Sequence, residues 1–203
     1  MKRYFFTSIL ILIIFSFVFA AEEVVDSYSE SNFSSFFEIS SEKYLGQSFT
    51  GNGKNLSSAK FYLKKSSSAT GNMHAELYAH SGTYGSTSVA TGSPLAVSSS
   101  KLASTLTTSY DLCSFTFDGT YTLVDGTYYV IVIYYDGTGG SPGYLYVSLD
   151  NTSLTHSGSA CGSNDGSTWY DQTNYWGTPV DLIFYVYGES AVSGAGQVII
   201  IGD

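Results

Sequence analysis

Arginine is almost missing from this chain of 203 residues: Arg3 is its single example, and lysine stops at Lys101. From Leu102 onward there are ten carboxylates and no lysine or arginine. A protein that grips a phosphate backbone needs clustered basic side chains, so a nucleic-acid partner is excluded. Anionic membrane surfaces are disfavoured for the same reason. Cysteine is scarce too. Cys113 and Cys161 cannot build a disulfide framework, and they are compatible with one bridge or with two free thiols. Proline occurs three times, and no stretch shows the 3.6-residue apolar period of a helix. Charged residues make up only 12% of the chain, yet aromatics reach 16%, which argues against disorder.

What is present begins with a leader. Lys2 and Arg3 precede the apolar run Ile9 to Phe19, and Val18 and Ala20 are small enough to flank a cleavage site. This layout predicts a secretory signal over residues 1–20. The competing reading is an uncleaved anchor, for which the run is short against a span of about 20 residues. No later run could cross a bilayer, so no membrane contact is expected beyond the signal. Removal of the leader takes the net charge from −9 to about −11. The remaining residues, about 183 of them, suffice for one domain with a real core. We divide them into an N-terminal segment joining the fold (21–43), a β-sandwich (44–188) and a flexible tail (189–203).

Alternation supplies the fold class. "AKFYLKK" sets Ala59, Phe61 and Leu63 against Lys60, Tyr62 and Lys64, and "YLYVSLD" sets Leu145, Val147 and Leu149 against Tyr144, Tyr146 and Ser148. A period of two is what a sheet with one wet face requires. "GTYYVIVIYYDG" and "DLIFYVYG" are apolar on both faces, which predicts covered strands that are neighbours or equals. Nine strands are expected: 45–49, 59–64, 74–79, 95–98, 112–117, 121–123, 128–135, 144–149 and 182–187. The fold class is therefore all-β, an antiparallel two-sheet β-sandwich, jelly-roll-like, with about nine strands.

The ordered set "GQSFTGNGKNLSSAKFYLKK", "ATGNMHAELYAHSGTYG", "TGSPLA", "GTYYVIVIYYDG", "THSG" and "DLIFYVYG" resembles the secreted domain family called choice-of-anchor R, over roughly Asp26 to Gly188. That resemblance implies a surface-located, jelly-roll-like domain similar to carbohydrate-binding modules. It brings no catalytic residues with it. The chain departs from the pattern in showing no obvious C-terminal anchor.

Catalytic constellations are poorly represented. No Gly-x-Ser-x-Gly elbow is present. Cys113 alternates with Phe115 and Phe117, the setting of a structural thiol. His74 and His80 lie roughly 20 Å apart along one strand, too far to share an ion, and surface positions are expected for all three histidines. Glu76 has no second carboxylate on its face, which a glycosidase would need. We expect no enzyme. Asn164, Asp165 and Asp171 offer oxygens of the kind calcium prefers, but Asn, Asp and Gly also simply make turns. A structural calcium is compatible with these residues; no other cofactor is expected.

The stretch "GSNDGSTWYDQTNYWG" holds both tryptophans. Rigid Trp and Tyr rings beside amide and carboxylate groups suit the stacking and hydrogen bonding of sugars. A tryptophan in a sandwich also commonly closes the end of the core. Trp169 and Trp176 are seven residues apart, which in extended chain predicts one ring in and one out. The candidate ligand-binding residues are Trp169, Tyr170, Asp171, Tyr175 and Trp176, with outward Tyr144 and Tyr146 as an aromatic sheet surface. The expected function is a non-catalytic extracellular module for a glycan or other surface polymer. The alternative is a structural subunit of a surface layer, filament or appendage, self-assembling through "QVIII" near the C-terminus as a donated strand.

Overall fold

Tyr128–Tyr135 is packed on both faces, and the rest of the fold is arranged around it. The computed structural model describes residues 21–40, 43–137 and 143–190. The signal segment and "QVIII" lie outside the described residues. In chain order the strands are β1 (Glu22–Tyr28), β2 (Ser35–Ile39), β3 (Lys43–Thr50), β4 (Asn55–Lys65), β5 (Asn72–Ser81), β6 (Val89–Val97) and β7 (Lys101–Leu102). There follow β8 (Asp111–Thr116), β9 (Tyr128–Tyr135), β10 (Leu145–Asp150), β11 (Ala160–Ser163), β12 (Trp169–Asp171), β13 (Asp181–Leu182) and β14 (Phe184–Glu189). A single-turn helix, α1 (Thr173–Trp176), lies between β12 and β13.

These strands form two antiparallel sheets packed face to face. The first runs β1-β14-β4-β10-β13, with β2 on the free side of β10 and β8 on β4. The second runs β12-β11-β3-β9-β5-β6, with β7 added to β5. The all-β sandwich is as the alternation predicts, but the described residues form 14 strands rather than nine. Eight of the expected strands are present. The ninth, Tyr121–Leu123, is reduced to one bridge from Thr122 to Asn55.

The core between the sheets explains the alternation. Phe61 and Leu63 of β4, Phe115 of β8 and Phe184 of β14 meet Phe49 of β3, Leu77 of β5, and Ile131, Ile133 and Tyr135 of β9. All are fully buried, and burial of each such side chain stabilises by about 1.5–3 kcal/mol.

The opposite face of β9 carries a second, smaller core. Val130 and Val132 pack there with Tyr78, Ala90 and Cys161, closed over by Tyr44, Val89 and Trp169. It can form because the two edges of the second sheet, β6 and β12, touch across that face. Gly46 is required beneath it: a Cβ there would lie 2.7 Å from Val130 Cγ1 and 2.9 Å from Val132 Cγ2. Apolar residues on both faces of β9 therefore report two cores. The similar run in β14 does not make it a neighbour of β9. It lies in the first sheet between β1 and β4, and Tyr185 and Tyr187 are only half-buried.

The expected surface histidines are corrected at His156, whose side chain is 7% exposed. Its Nε2 lies 3.2 Å from Asp26 Oδ1 of β1, and its Nδ1 lies 3.6 Å from Asp181 Oδ1 of β13. Gln47 of β3 donates to Asp181 Oδ1 at 2.9 Å and accepts the Leu182 N–H at 2.8 Å. This polar latch joins both sheets inside the sandwich. Gly158 N–H points at Nδ1 from 3.0 Å, the geometry of an uncharged ring. Burial disfavours the charge, but the hydrogen bonds and charges of Asp181 and Asp26 outweigh burial and raise the pKa to about 9.

Of the two states left open for the cysteines, the structure has free thiols at both Cys113 and Cys161. Cys113 belongs to β8 and packs against the main core, whereas Cys161 belongs to the second core beyond β9.

Candidate functional site

α1 exists because its flanks permit a single turn. Asp171 Oδ1 accepts the Thr173 N–H at 2.9 Å, and Gly177, with φ of 76°, ends the turn in the left-handed region. The turn lifts Tyr175 out to 75% exposure and tucks Trp176 under it. Phe37 of β2 meets both. Its ring centroid lies 5.5 Å from that of Trp176 at 82°, and 5.6 Å from that of Tyr175. Edge-to-face geometry of this kind is favoured by the ring quadrupoles.

The opposite wall is polar. Asn164 Oδ1 accepts from Lys43 Nζ, and from the Tyr170 hydroxyl at 3.2 Å. Glu38 of β2 and Gln172 also line the cleft. Gln172 lies close over Gly162, where an added Cβ would come within 2.6 Å of its Nε2. Between the walls is an open cleft of about 490 Å³. Its size is within the range of small-molecule sites.

The cleft gathers Tyr170, Tyr175 and Trp176 from the residues expected to bind a ligand. It omits the others. Trp169 stacks edge-on against Tyr78 at 5.1 Å and Tyr44 at 5.9 Å, as part of the second core. Asp171 serves the start of α1. Tyr144 lies just before β10, and Tyr146 is in β10 of the first sheet, where it meets Phe36 at 5.3 Å. The rule of one ring in and one out is replaced by two half-buried rings in two clusters. Neither indole N–H meets an acceptor among the described residues, although both are shielded from solvent. Phe36, Phe37, Glu38 and Lys43 were missed. For the first three the signal was the doublet in "SSFFEIS", set in a segment treated as a lead-in to the sandwich.

The weak calcium candidates have other duties. Asp165 Oδ1 accepts the N–H groups of Thr168 and Ser167 at 2.7 and 2.8 Å, and Oδ2 accepts the Thr168 hydroxyl. Those backbone donors hold its pKa well below the usual carboxylate range. The Lys43 ammonium occupies the oxygen that Asn164 would offer a cation. Asp171 caps α1. Among the described residues no group of three or more His, Cys, Asp or Glu could hold a metal ion.

Chemically the cleft can stack and hydrogen-bond. Glu38 is its single carboxylate among the described residues, and it holds no histidine or cysteine. Neither a carboxylate pair nor a nucleophile with its base is present there.

No protein-family profile and no curated protein matches the chain. Among solved structures it is similar to the crystal structure of the cysteine protease and lectin-like domains of Cwp84, a surface layer associated protein of Clostridium difficile. The TM-score is 0.51 and the identity 13%, over 76% of this chain and 33% of that one. The shared part is the lectin-like domain. At this identity the likeness is one of fold, and the chain spans about a third of the length of the solved protein it matches.

Proposed function

We propose that this protein is a non-catalytic, extracellular glycan-binding module, and that its binding site is the cleft between β2 and α1. The observation that carries this reading is the aromatic wedge of Phe37, Tyr175 and Trp176 facing the Lys43–Asn164–Tyr170 hydrogen-bonded wall. A pyranose has an apolar face and a polar rim. The wedge takes the face by stacking, and the wall takes the hydroxyls. Tyr175 in particular is 75% exposed, and an aromatic ring so placed adds little to folding while offering contact area at low entropic cost. The likeness to a lectin-like domain of a surface protein supports the same class of function, and the leader supports export.

Affinity electrophoresis of residues 21–203 through gels containing neutral or acidic polysaccharides tests this reading. We expect retardation by at least one polymer, and loss of it in Tyr175→Ala at unchanged melting temperature. Retardation that survives Tyr175→Ala and Trp176→Ala would place the site elsewhere. Free migration through every polymer would remove the glycan reading.

A further inference from the structure

The solvent face of the first sheet carries a lysine-bearing aromatic platform, continuous with the cleft. Lys64 of β4 holds its Nζ 4.6 Å from the ring centroid of Tyr110, 5.0 Å from that of Tyr146 and 5.9 Å from that of Phe36. Tyr110 stacks on Tyr62 at 5.3 Å and 28°. Four residues earlier on the same strand face, about 13 Å away, Lys60 sits 4.3 Å above the ring of Tyr187. Phe36 is 41% exposed and lines the cleft as well as this platform, so the two surfaces join at β2.

The chain has 17 acidic residues against eight basic ones, yet among the described lysines a single one is paired with a carboxylate. It is Lys54, at Glu23. Lys60 and Lys64 are not so paired: among the described residues neither has a carboxylate within 4.0 Å, and their ammonium groups rest on rings. A ring face attracts a cation without neutralising it. Each ammonium is thus held in place with its full charge still available, and its ordering cost is largely met before any ligand arrives. Two opposing charges stand by this face: Glu38 lies across Tyr146 from Lys64 on the outermost strand, and Glu30 accepts from the hydroxyl of Tyr185, the cross-strand partner of Lys60.

We infer that the ligand is a carboxylate-bearing polysaccharide, which runs from the cleft across Phe36 onto this platform. Its sugar rings stack on the Tyr62–Tyr110 pair, and its uronate groups pair with Lys64 and Lys60. The proposal rests on the glycan reading of the cleft. Two separate lysines on aromatic seats fit singly spaced carboxylates. A polymer of phosphates is gripped by the dense clusters or bidentate forks of arginine, and the chain has no arginine after Arg3. The molecule's overall negative charge does not prevent this, because repulsion beyond about 8 Å is screened at physiological ionic strength.

The test uses three uronate polymers (polygalacturonate, alginate and hyaluronan), methyl-esterified polygalacturonate, and a polyol-phosphate polymer. Each is titrated against the wild type and a Lys60→Gln/Lys64→Gln double variant whose melting temperature is measured alongside. We expect at least one uronate polymer to bind. Esterification or the double substitution should weaken it about tenfold, and the wild-type advantage should shrink as salt rises. Lys101→Gln, on another strand, should bind as the wild type. Equal binding of free and esterified polymer, or a folded double variant that binds normally, would overturn the inference and leave the cleft reading standing. Preference for the phosphate polymer would overturn the carboxylate assignment. Binding to no polysaccharide of any kind would overturn both.

Discussion

Phe37 and Trp176 meet edge to face, with ring centroids 5.5 Å apart at 82°. This contact brings the N-terminal strand β2 against the helical turn α1 and forms the back of the cleft. It also separates the two tryptophans by role. Trp169→Ala should destabilise by about 2–4 kcal/mol, since it opens the second core over Val130 and Val132. It should leave polysaccharide affinity unchanged in the folded fraction. Tyr175→Ala should do the reverse: a stability change within about 0.5 kcal/mol and a clear loss of affinity. Chemical denaturation and affinity electrophoresis on the same samples check both.

Gly46→Ala is a sharper probe of the second core than any truncation. The new methyl would meet Val130 Cγ1 at 2.7 Å and Val132 Cγ2 at 2.9 Å. Both are stiff, fully buried, β-branched side chains. Overpacking of this kind costs about 1–3 kcal/mol, visible as a lower urea midpoint with an unchanged slope.

His156 makes stability depend on alkaline pH. Its folded pKa, about 9, is raised above the ordinary value of 6.5 because Asp26 and Asp181 outweigh burial. The stabilisation is therefore full below pH 6.5 and is lost as pH rises through about 9. At most it amounts to about 3 kcal/mol. His156→Gln should lower stability at pH 6 and flatten the fall between pH 7 and 10. An equally steep fall in the variant would remove His156 as its source.

Asp150 acts at the other end of the scale. Burial opposes its charge, but the Thr152 N–H and the hydroxyls of Tyr28, Thr152 and Ser34 bring its pKa down to about 2. Its contribution is present above the ordinary value of 3.8 and is lost as pH falls through about 2. Asp150→Asn should be less stable at pH 6, and should lose less stability than the wild type on acidification from pH 4 to 2.

Free thiols give a simple prediction. Burial pushes the Cys161 thiol up to about 12 and raises that of Cys113 as well. Neither should react appreciably with a thiol reagent at pH 8 in the native state. Both should be labelled in denaturant without prior reduction, and a reductant should leave the melting temperature unmoved.

The parts legible in the sequence were those set by alternation. β4, β5, β9 and β10 bury alternate or continuous apolar residues over six or more positions, and such periods are hard to misread. Illegible strands were short or held by their partners. β11 is Ala-Cys-Gly-Ser and is a strand because Gly46 and Gln47 of β3 lie beside it. β13 has two residues. The cleft was half legible. Tyr170, Tyr175 and Trp176 stand in one conspicuous stretch, but Phe37 and Lys43 reach them from more than 120 residues away through sheet pairing, which local patterns do not carry. His156 was misread because the carboxylates that bury it, Asp26 and Asp181, come from the two ends of the domain.

The most direct measurement is tryptophan emission during titration with the polysaccharide that retards the wild type most. The chain has two tryptophans, so Trp169→Phe leaves Trp176 as the sole indole and Trp176→Phe leaves Trp169. A saturable change from Trp176 and a silent Trp169 are predicted, because Trp176 alone lines the cleft. A responsive Trp169 with a silent Trp176 would contradict the placement of the site between β2 and α1.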